Sequence, residues 1–257
     1  MKHKARLVAK RFHQVHGIDY TETFSPVVKA STVMVVLSIT IMNNWILKQI
    51  DVNNAFLNGI LDEEVYMAHA EGFVNSQKPQ HICKLKKAIY RLKQAPRAWF
   101  ARFRTAMTSQ WNFQNSKSDN SLFYKRENGH LLLVLVYVDD IIITGSNSAK
   151  VQQVIQDMQN TFALKDLGEL SYFLGIEVSK LHNGIHLSQP KYITDILVKH
   201  DLTHCSPVLT LMSTGQYLTK ASGTDIANVS QYRSIIGALQ YVTLTRPEIS
   251  FSVNKLS

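Results

Sequence analysis

Two adjacent carboxylates, Asp139 and Asp140, interrupt a long apolar stretch: residues 131–144 read Leu-Leu-Leu-Val-Leu-Val-Tyr-Val-Asp-Asp-Ile-Ile-Ile-Thr. Neighbouring acids in such surroundings repel, and one is driven to take up a proton unless a cation stands beside them. Hard oxygen donors of this kind suit Mg²⁺. An Asp-Asp pair also simply caps tight turns, so this segment by itself leaves both readings open. A further acid shifts the balance. Asp51 follows Trp45-Ile46-Leu47 and Ile50, and precedes Val52-Asn53-Asn54-Ala55-Phe56. Three acids at strand ends can hold two metal ions about 4 Å apart, one activating an attacking oxygen and one stabilising the oxygen that leaves. That is the chemistry of phosphoryl transfer, in which positioning and charge neutralisation dominate.

The same chemistry needs a grip on phosphates. Residues 84–104 carry Lys84, Lys86, Lys87, Arg91, Lys93, Arg97, Arg102 and Arg104 with no acid among them, interleaved with Tyr90, Trp99, Phe100 and Phe103. Lysine and arginine contacts to phosphate drive binding of nucleic acid without regard to sequence. A solvated helix face is the plainer reading, but such faces usually mix signs. The whole chain agrees in sign: its formal net charge is +9, with a sequence pI of about 9.5. A polyanionic partner is expected, nucleic acid before membrane.

Composition bounds the rest. With 257 residues and 45% hydrophobic content the chain can bury one large core or two small ones. Its 18% charged content argues against disorder along the whole length. Two cysteines, Cys83 and Cys205, make no disulfide framework, and reduced thiols in an intracellular, cytoplasmic setting are expected. The polar start, Met1-Lys2-His3-Lys4, lacks the apolar core of a signal peptide. The longest apolar run is broken by Asp139 and Asp140, and a bilayer span needs about 20 apolar residues. His13 and His16, or His200, His204 and Cys205, make no tetrad with zinc-like spacing. Trp45 and Trp99 read as core residues rather than platforms for bases.

Several elements are needed to position the acids. Residues 46–52 read as a strand that delivers Asp51 to its end. Two strands meet across Asn128-Gly129, a strong hairpin signal, and the second of them runs into Asp139-Asp140. Pro96 stands where a helix starts, with Trp99, Phe103, Ala106 and Met107 on one face behind it. Val151, Val154, Ile155, Met158 and Phe162 are helix-spaced behind the cap candidates Asn147 and Ser148. Another hairpin is expected across Asn183-Gly184, then a helix through Tyr192 to Leu197, a polar loop over 203–224, and two further helices around 232–241 and 247–256. Residues 32–42 are ambiguous, since Val33, Val35, Leu37, Ile39 and Ile41 alternate as in a strand while Met34, Val36 and Met42 are apolar as in a buried helix. Strands and helices mix without regular βαβ alternation, so the fold class is α+β.

With these residues in hand, a family likeness emerges. Tyr137-Val138-Asp139-Asp140 resembles the Tyr-x-Asp-Asp signature of reverse transcriptases. The strings around it resemble copia-type retrotransposon polymerases in order along nearly the whole chain. They are residues 4–10 (Lys-Ala-Arg-Leu-Val-Ala-Lys), 17–29 (Gly-Ile-Asp-Tyr-Thr-Glu-Thr-Phe-Ser-Pro-Val-Val-Lys), 51–57, 92–99 (Leu-Lys-Gln-Ala-Pro-Arg-Ala-Trp), 172–177 and 232–241. The resemblance implies a right-hand polymerase of fingers, palm and thumb, with an antiparallel palm sheet packed on helices and with residues 32–42 helical. It implies fingers and palm over 1–200 and a thumb or connection segment over 201–257. It also implies an upstream fingers strand and a downstream ribonuclease H domain outside this sequence. The implied reaction is RNA-directed DNA synthesis from deoxynucleoside triphosphates on an RNA or DNA primer-template, within a retrotransposon polyprotein, using Mg²⁺ or Mn²⁺.

Position by position, the likeness makes Asp51, Asp139 and Asp140 the metal carboxylates and Lys165 a proton donor to pyrophosphate. Phe56 matches the aromatic that blocks a ribose 2′-OH, the physical handle separating RNA from DNA building blocks. Lys93, Gln94 and Pro96 match the segment beside the incoming nucleotide, and Lys4, Arg6 and Lys10 match a fingers strand near the triphosphate. Lys84, Lys86, Lys87, Arg91, Arg97, Arg102 and Arg104 remain the candidate nucleic-acid contacts. Departures from the family pattern fall at Arg11 and Arg91, each in place of glycine, at His69-Ala70 in place of Gln-Pro, and at Leu211 in place of proline. At position 91 glycine permits positive φ or close backbone approach, which arginine tolerates less easily. A degenerate remnant that binds nucleic acid without extending primers is therefore the alternative, and Arg91→Gly is expected to raise activity.

Overall fold

Val36, Leu37 and Thr40 lie three and four positions apart, the spacing of one helical face. In the structure, a computed structural model describing residues 6–70, 72–182, 184–208, 210–212 and 226–257, they are the buried stripe of helix α1 (Ala30–Met42) together with Val33. The strand-like alternation in this segment is thus overruled by packing: a helix buries Val33, Val36, Leu37 and Thr40 together, whereas a strand would split them between faces. Asn43 and Asn44 end the helix, Asn44 in a left-handed conformation at φ 51°. Its start is capped from a distance, by a hydrogen bond from the Lys29 N–H to the Asp119 carboxylate at 2.9 Å.

Strand β1 (Ile46–Val52) follows, and two strands flank it, β7 (Asp140–Gly145) and β8 (Leu164–Glu169), both antiparallel. β7 is the return limb of a hairpin with β6 (His130–Tyr137). With β5 (Leu122–Glu127) and β4 (Gln114–Asn115) they form a six-stranded antiparallel sheet in the order β4-β5-β6-β7-β1-β8. The β5–β6 turn is the expected Asn128-Gly129 pair, at φ 51° and 75°, the positive values a type I′ hairpin requires.

Each face of the sheet is covered. On one lie helices α2 (Ala95–Thr105), which continues into a π-helical turn at Ala106–Gln110, and α3 (Ser148–Thr161). Their Trp99, Phe103, Met107, Val151, Ile155 and Met158 pack against Ile50, Val134, Ile141 and Ile143. Burying each such side chain contributes about 1.5–3 kcal/mol. The other face carries α1: the buried Thr40 hydroxyl lies 2.8 Å from the Val36 carbonyl and 3.0 Å from Thr144 Oγ1, and the buried Thr144 hydroxyl donates to the carbonyl of half-buried Ile46 at 2.7 Å. A smaller sheet of β2 (Ile60–Met67) and β3 (Cys83–Lys87) has its own apolar cluster of Ala9, Val65, Ala88, Ile89, Leu92 and Ala95.

The chain divides into two compact units after Leu170. In the second, β9 (Tyr172–Phe173), β10 (Ile176–Leu181) and β11 (Gly184–Ser188) form a three-stranded sheet. Helices α4 (Pro190–Lys199), α5 (Val229–Val242) and α6 (Ser250–Leu256) complete it. The Tyr241 hydroxyl donates to the Leu174 carbonyl, and its ring meets Tyr192 edge to face at 5.1 Å. Position 200, where a boundary was expected, is the C-cap of α4 inside this unit. Asn183, most of the polar loop over 203–224, and Lys4 lie wholly or partly outside the described residues.

Candidate active site

Register brings the acids together. Asp51 is the direct partner of Asp140 across β1 and β7, and of Lys165 across β1 and β8. Residues directly opposite in an antiparallel pair share a face, so Asp140, Asp51 and Lys165 form a row across three strands, on the α1 side of the sheet. Asp51 and Asp140 are half-buried there and Lys165 is exposed. Asp139 is exposed in the two-residue loop between β6 and β7, and its carbonyl accepts the Val52 N–H at 2.8 Å. That bond ties the loop back to β1 one residue beyond Asp51.

The electrostatics are those of crowded negative charge. Burial pushes the Asp140 carboxyl above the usual range, the Asp139 and Asp51 carboxylates push it the same way, and a hydrogen bond from the Gln49 side chain opposes them. Gln49 is buried, two residues before Asp51 on the same face. The donor set fits a hard divalent cation in kind: carboxylate oxygens whose mutual repulsion a cation relieves. Among the described residues, no group of three or more His, Cys, Asp or Glu side chains is gathered tightly enough to hold a metal ion outright.

The residues expected beside a nucleotide fall into two sets. Phe56 lies in the turn Ala55–Asn58 that leaves β1, half-buried and edge-on to Tyr90 at 5.3 Å, while the Arg6 guanidinium sits over the other ring at 5.2 Å from its centroid. Lys10 is exposed, and the adjacent Ala9 N–H donates to the Tyr90 carbonyl at 2.9 Å. Lys93 and Gln94, by contrast, are engaged within the protein. Gln94 is fully buried, donating to the Asp19 carbonyl at 2.8 Å and accepting from Gln14 at 2.9 Å. The Lys93 N–H donates to Gln14 Oε1 at 2.8 Å, and its ammonium donates to the Gln14 carbonyl at 3.2 Å and the Tyr20 hydroxyl at 3.0 Å. Pro96 takes the first turn of α2, half-buried. Gln14, which organises this lock, carries no motif or periodicity that marks it in the sequence. A cleft of about 570 Å³ opens beside it, lined by Leu7, Ala9, Lys10, Val65, His69 and Leu85 among others, and none of the three acids lines that cleft.

The basic run is split between elements. Lys84, Lys86 and Lys87 are on β3, whereas Arg97, Arg102 and Arg104 are on α2. Two of these charges meet acids of β2: Lys84 pairs with Glu64, and Arg97 lies 3.4 Å from Glu63 and 3.6 Å from Glu22. Arg91 takes a left-handed conformation at φ 69°, with its side chain exposed. The backbone there keeps the shape that suits glycine, and the arginine points outward.

Within one unit, then, an antiparallel sheet aligns acids at one end, and a strand of a second sheet and a helix carry the basic run. Residues 1–214 match the family described as reverse transcriptase (RNA-dependent DNA polymerase). The chain belongs to that family, in its copia-type branch. It is 45% identical over 256 residues to the retrovirus-related Pol polyprotein from transposon RE2 of Arabidopsis thaliana, and 44% identical over 256 residues to that from transposon RE1 of the same plant. It is 36% identical over 267 residues to the retrovirus-related Pol polyprotein from transposon TNT 1-94 of Nicotiana tabacum. All of this chain is covered in each case, but it spans only 18%, 17% and 20% of those relatives. No helix among the described residues is long and apolar enough to cross a membrane.

Proposed function

We propose that this chain is the polymerase segment of a retrotransposon Pol polyprotein, joining deoxynucleotides to a primer 3′-OH on an RNA or DNA template. The observation that carries the reading is the register of Asp51 opposite Asp140, with Asp139 in the adjoining loop. Asp51, Asp139 and Asp140 would hold Mg²⁺, or Mn²⁺ in its place. When bound, such ions supply charge neutralisation and oxygen activation for in-line phosphoryl transfer. Lys165, opposite Asp51 on β8, would give a proton to the departing pyrophosphate. Phe56, backed by Tyr90, is the ring that would exclude a ribose 2′-OH. Lys86, Lys87, Arg102 and Arg104 would meet backbone phosphates. On this reading the six-stranded sheet is the palm, the β2–β3 sheet with its cluster belongs to the fingers, and the second unit leads toward a thumb. Fingers and palm over 1–200 and a thumb or connection segment over 201–257, an intracellular site of action and the other segments of the polyprotein as partners belong to the same proposal.

A second reading is a remnant that binds nucleic acid without extending primers. It is favoured by Arg91 in a left-handed conformation and by Lys93 and Gln94 turned to partners inside the protein. Primer extension decides between them. With Mg²⁺ or Mn²⁺, the unaltered chain should extend a primer, and Asp139→Asn should lower the rate at least about a hundredfold, because fixed charge supplies much of such a rate. Binding of primer-template with no extension establishes the remnant. Extension retained within a few-fold in Asp139→Asn removes Asp139 from the chemistry.

A further inference from the structure

We propose that Trp99 is a positioning residue for the carboxylate loop: its indole N–H donates to the Val138 carbonyl at 2.6 Å and so holds Val138 in a left-handed conformation that aims Asp139 and Asp140. The role in catalysis rests on the reading above; the role in shaping the loop does not.

The need for such a residue comes from Val138. Its φ is 53°, and Asp139 after it has no positive φ. Positive φ at the first loop residue alone is the sign pattern of a type II′ hairpin, which ordinarily takes glycine there. A β-branched side chain in that region is a true outlier, costing on the order of 1–3 kcal/mol, and it persists only where its surroundings over-determine it. Two hydrogen bonds act on this loop's carbonyls. One comes from the Val52 backbone to the Asp139 carbonyl; the other is from Trp99, a side chain. Gripping consecutive carbonyls from two elements fixes the peptide planes on both sides of Asp139.

Trp99 is built to hold still. It is 2% exposed, on α2, with Phe103 at 5.5 Å and Phe162 at 5.2 Å on its ring. The sequence reading of Trp99 as a core residue is therefore correct about its burial and incomplete about its nitrogen. A buried indole N–H needs a partner, and Val138 supplies it. Gly59 lies directly against this part of α2: a Cβ there would stand 2.8 Å from the Trp99 backbone nitrogen and 3.0 Å from the Ala98 carbonyl carbon.

The test separates the nitrogen from the ring. Trp99→Phe keeps an aromatic in the core and removes the donor; Val138→Gly removes the strain that the donor restrains. Hydrogen exchange of the 138–140 amides and Mn²⁺ binding would be measured in all four combinations, with melting as a check on folding. Trp99→Phe should speed exchange at these amides about tenfold, the effect of one lost hydrogen bond, and weaken Mn²⁺ binding by a similar factor. In the Val138→Gly background both effects should shrink to within twofold. Exchange unchanged by Trp99→Phe, or accelerated equally in both backgrounds, overturns the proposal. Should no variant bind Mn²⁺, the metal reading fails while the exchange measurement still decides the role of Trp99.

Discussion

Asp140 shows how a single half-buried acid can weigh against the fold. Burial and the neighbouring acids raise its pKa above that of the unfolded chain. The unfolded state therefore loses its proton first, and stability falls as pH rises from the unfolded pKa through the folded one. Asp140→Asn removes that cost. Its melting temperature in a chelator at pH 7 should exceed that of the parent, with the gap closing below about pH 4, where the unfolded carboxyl is protonated. An equal or lower melting temperature at pH 7 would show that repulsion among the acids is not felt. Arg91 carries a different cost. A non-glycine residue in the left-handed region costs about 1–2 kcal/mol, partly offset because glycine loses more entropy on folding. Arg91→Gly should thus raise the melting temperature by about 2–4 °C, corresponding to up to about 1 kcal/mol; no change would mean the strain is relieved locally. The odd arginine was legible in the sequence, and so was the backbone shape beneath it. The outward path of its side chain was not, because nothing local dictates it.

Elements were legible where a local signal and the final packing agree. The ends of β1, the Asn128-Gly129 turn and the Asn147 cap of α3, whose side chain accepts the Lys150 N–H at 3.1 Å, all announce themselves within a few residues. Helix α1 did not. Its first turn contains no acid, and no side chain of its own N-cap makes a capping bond. The missing cap comes from Asp119, ninety positions away, which accepts from the Lys29 N–H and, at 2.9 Å, from the Ser121 N–H. Burial pushes the Asp119 carboxyl up, but hydrogen bonds from Thr32, Lys29 and Ser121 outweigh it and hold the pKa below the ordinary value. A depressed folded pKa stabilises above the unfolded value, and the benefit is lost as pH falls through the folded one. Asp119→Ala should therefore cost about 1–2 kcal/mol in denaturant unfolding at pH 7, and less at pH 3. The same cost at both values would locate the loss in packing rather than in the cap.

For the molecule as a whole, the net charge of +9 is not spread as the sequence implies. The run from Lys84 to Arg104 contains no acid, yet β2 brings Glu63 to Arg97 and Glu64 to Lys84. Proximity of this sort is set by strand pairing and cannot be read along the chain. It also yields a measurable consequence. Because Arg97 also meets Glu22, Glu22→Gln, Glu63→Gln and Glu64→Gln together should release two cations, tighten binding to a duplex primer-template, and steepen the fall of affinity with salt, since the slope counts phosphates neutralised. An unchanged slope would place the nucleic acid on another surface.

The hydroxyl relay from Thr40 through Thr144 to the Ile46 carbonyl bears on how this arrangement is reached at all. Ile141, Ile142 and Ile143 are so alike that a β7 slid along β1 by two residues would bury nearly as much oil-like surface. A slid sheet would, however, part the buried Thr144 hydroxyl from both of its partners, and a buried polar group left unmet costs about 1–3 kcal/mol. The relay behaves as the tumbler of a lock. The alignment that seats it, with Thr144 beside Leu47, is the alignment that sets Asp140 against Asp51 at the far end of the same strands. The placing of the three acids thus depends on a pair of threonines at the other end of the strands, which check whether the chain has been zipped true.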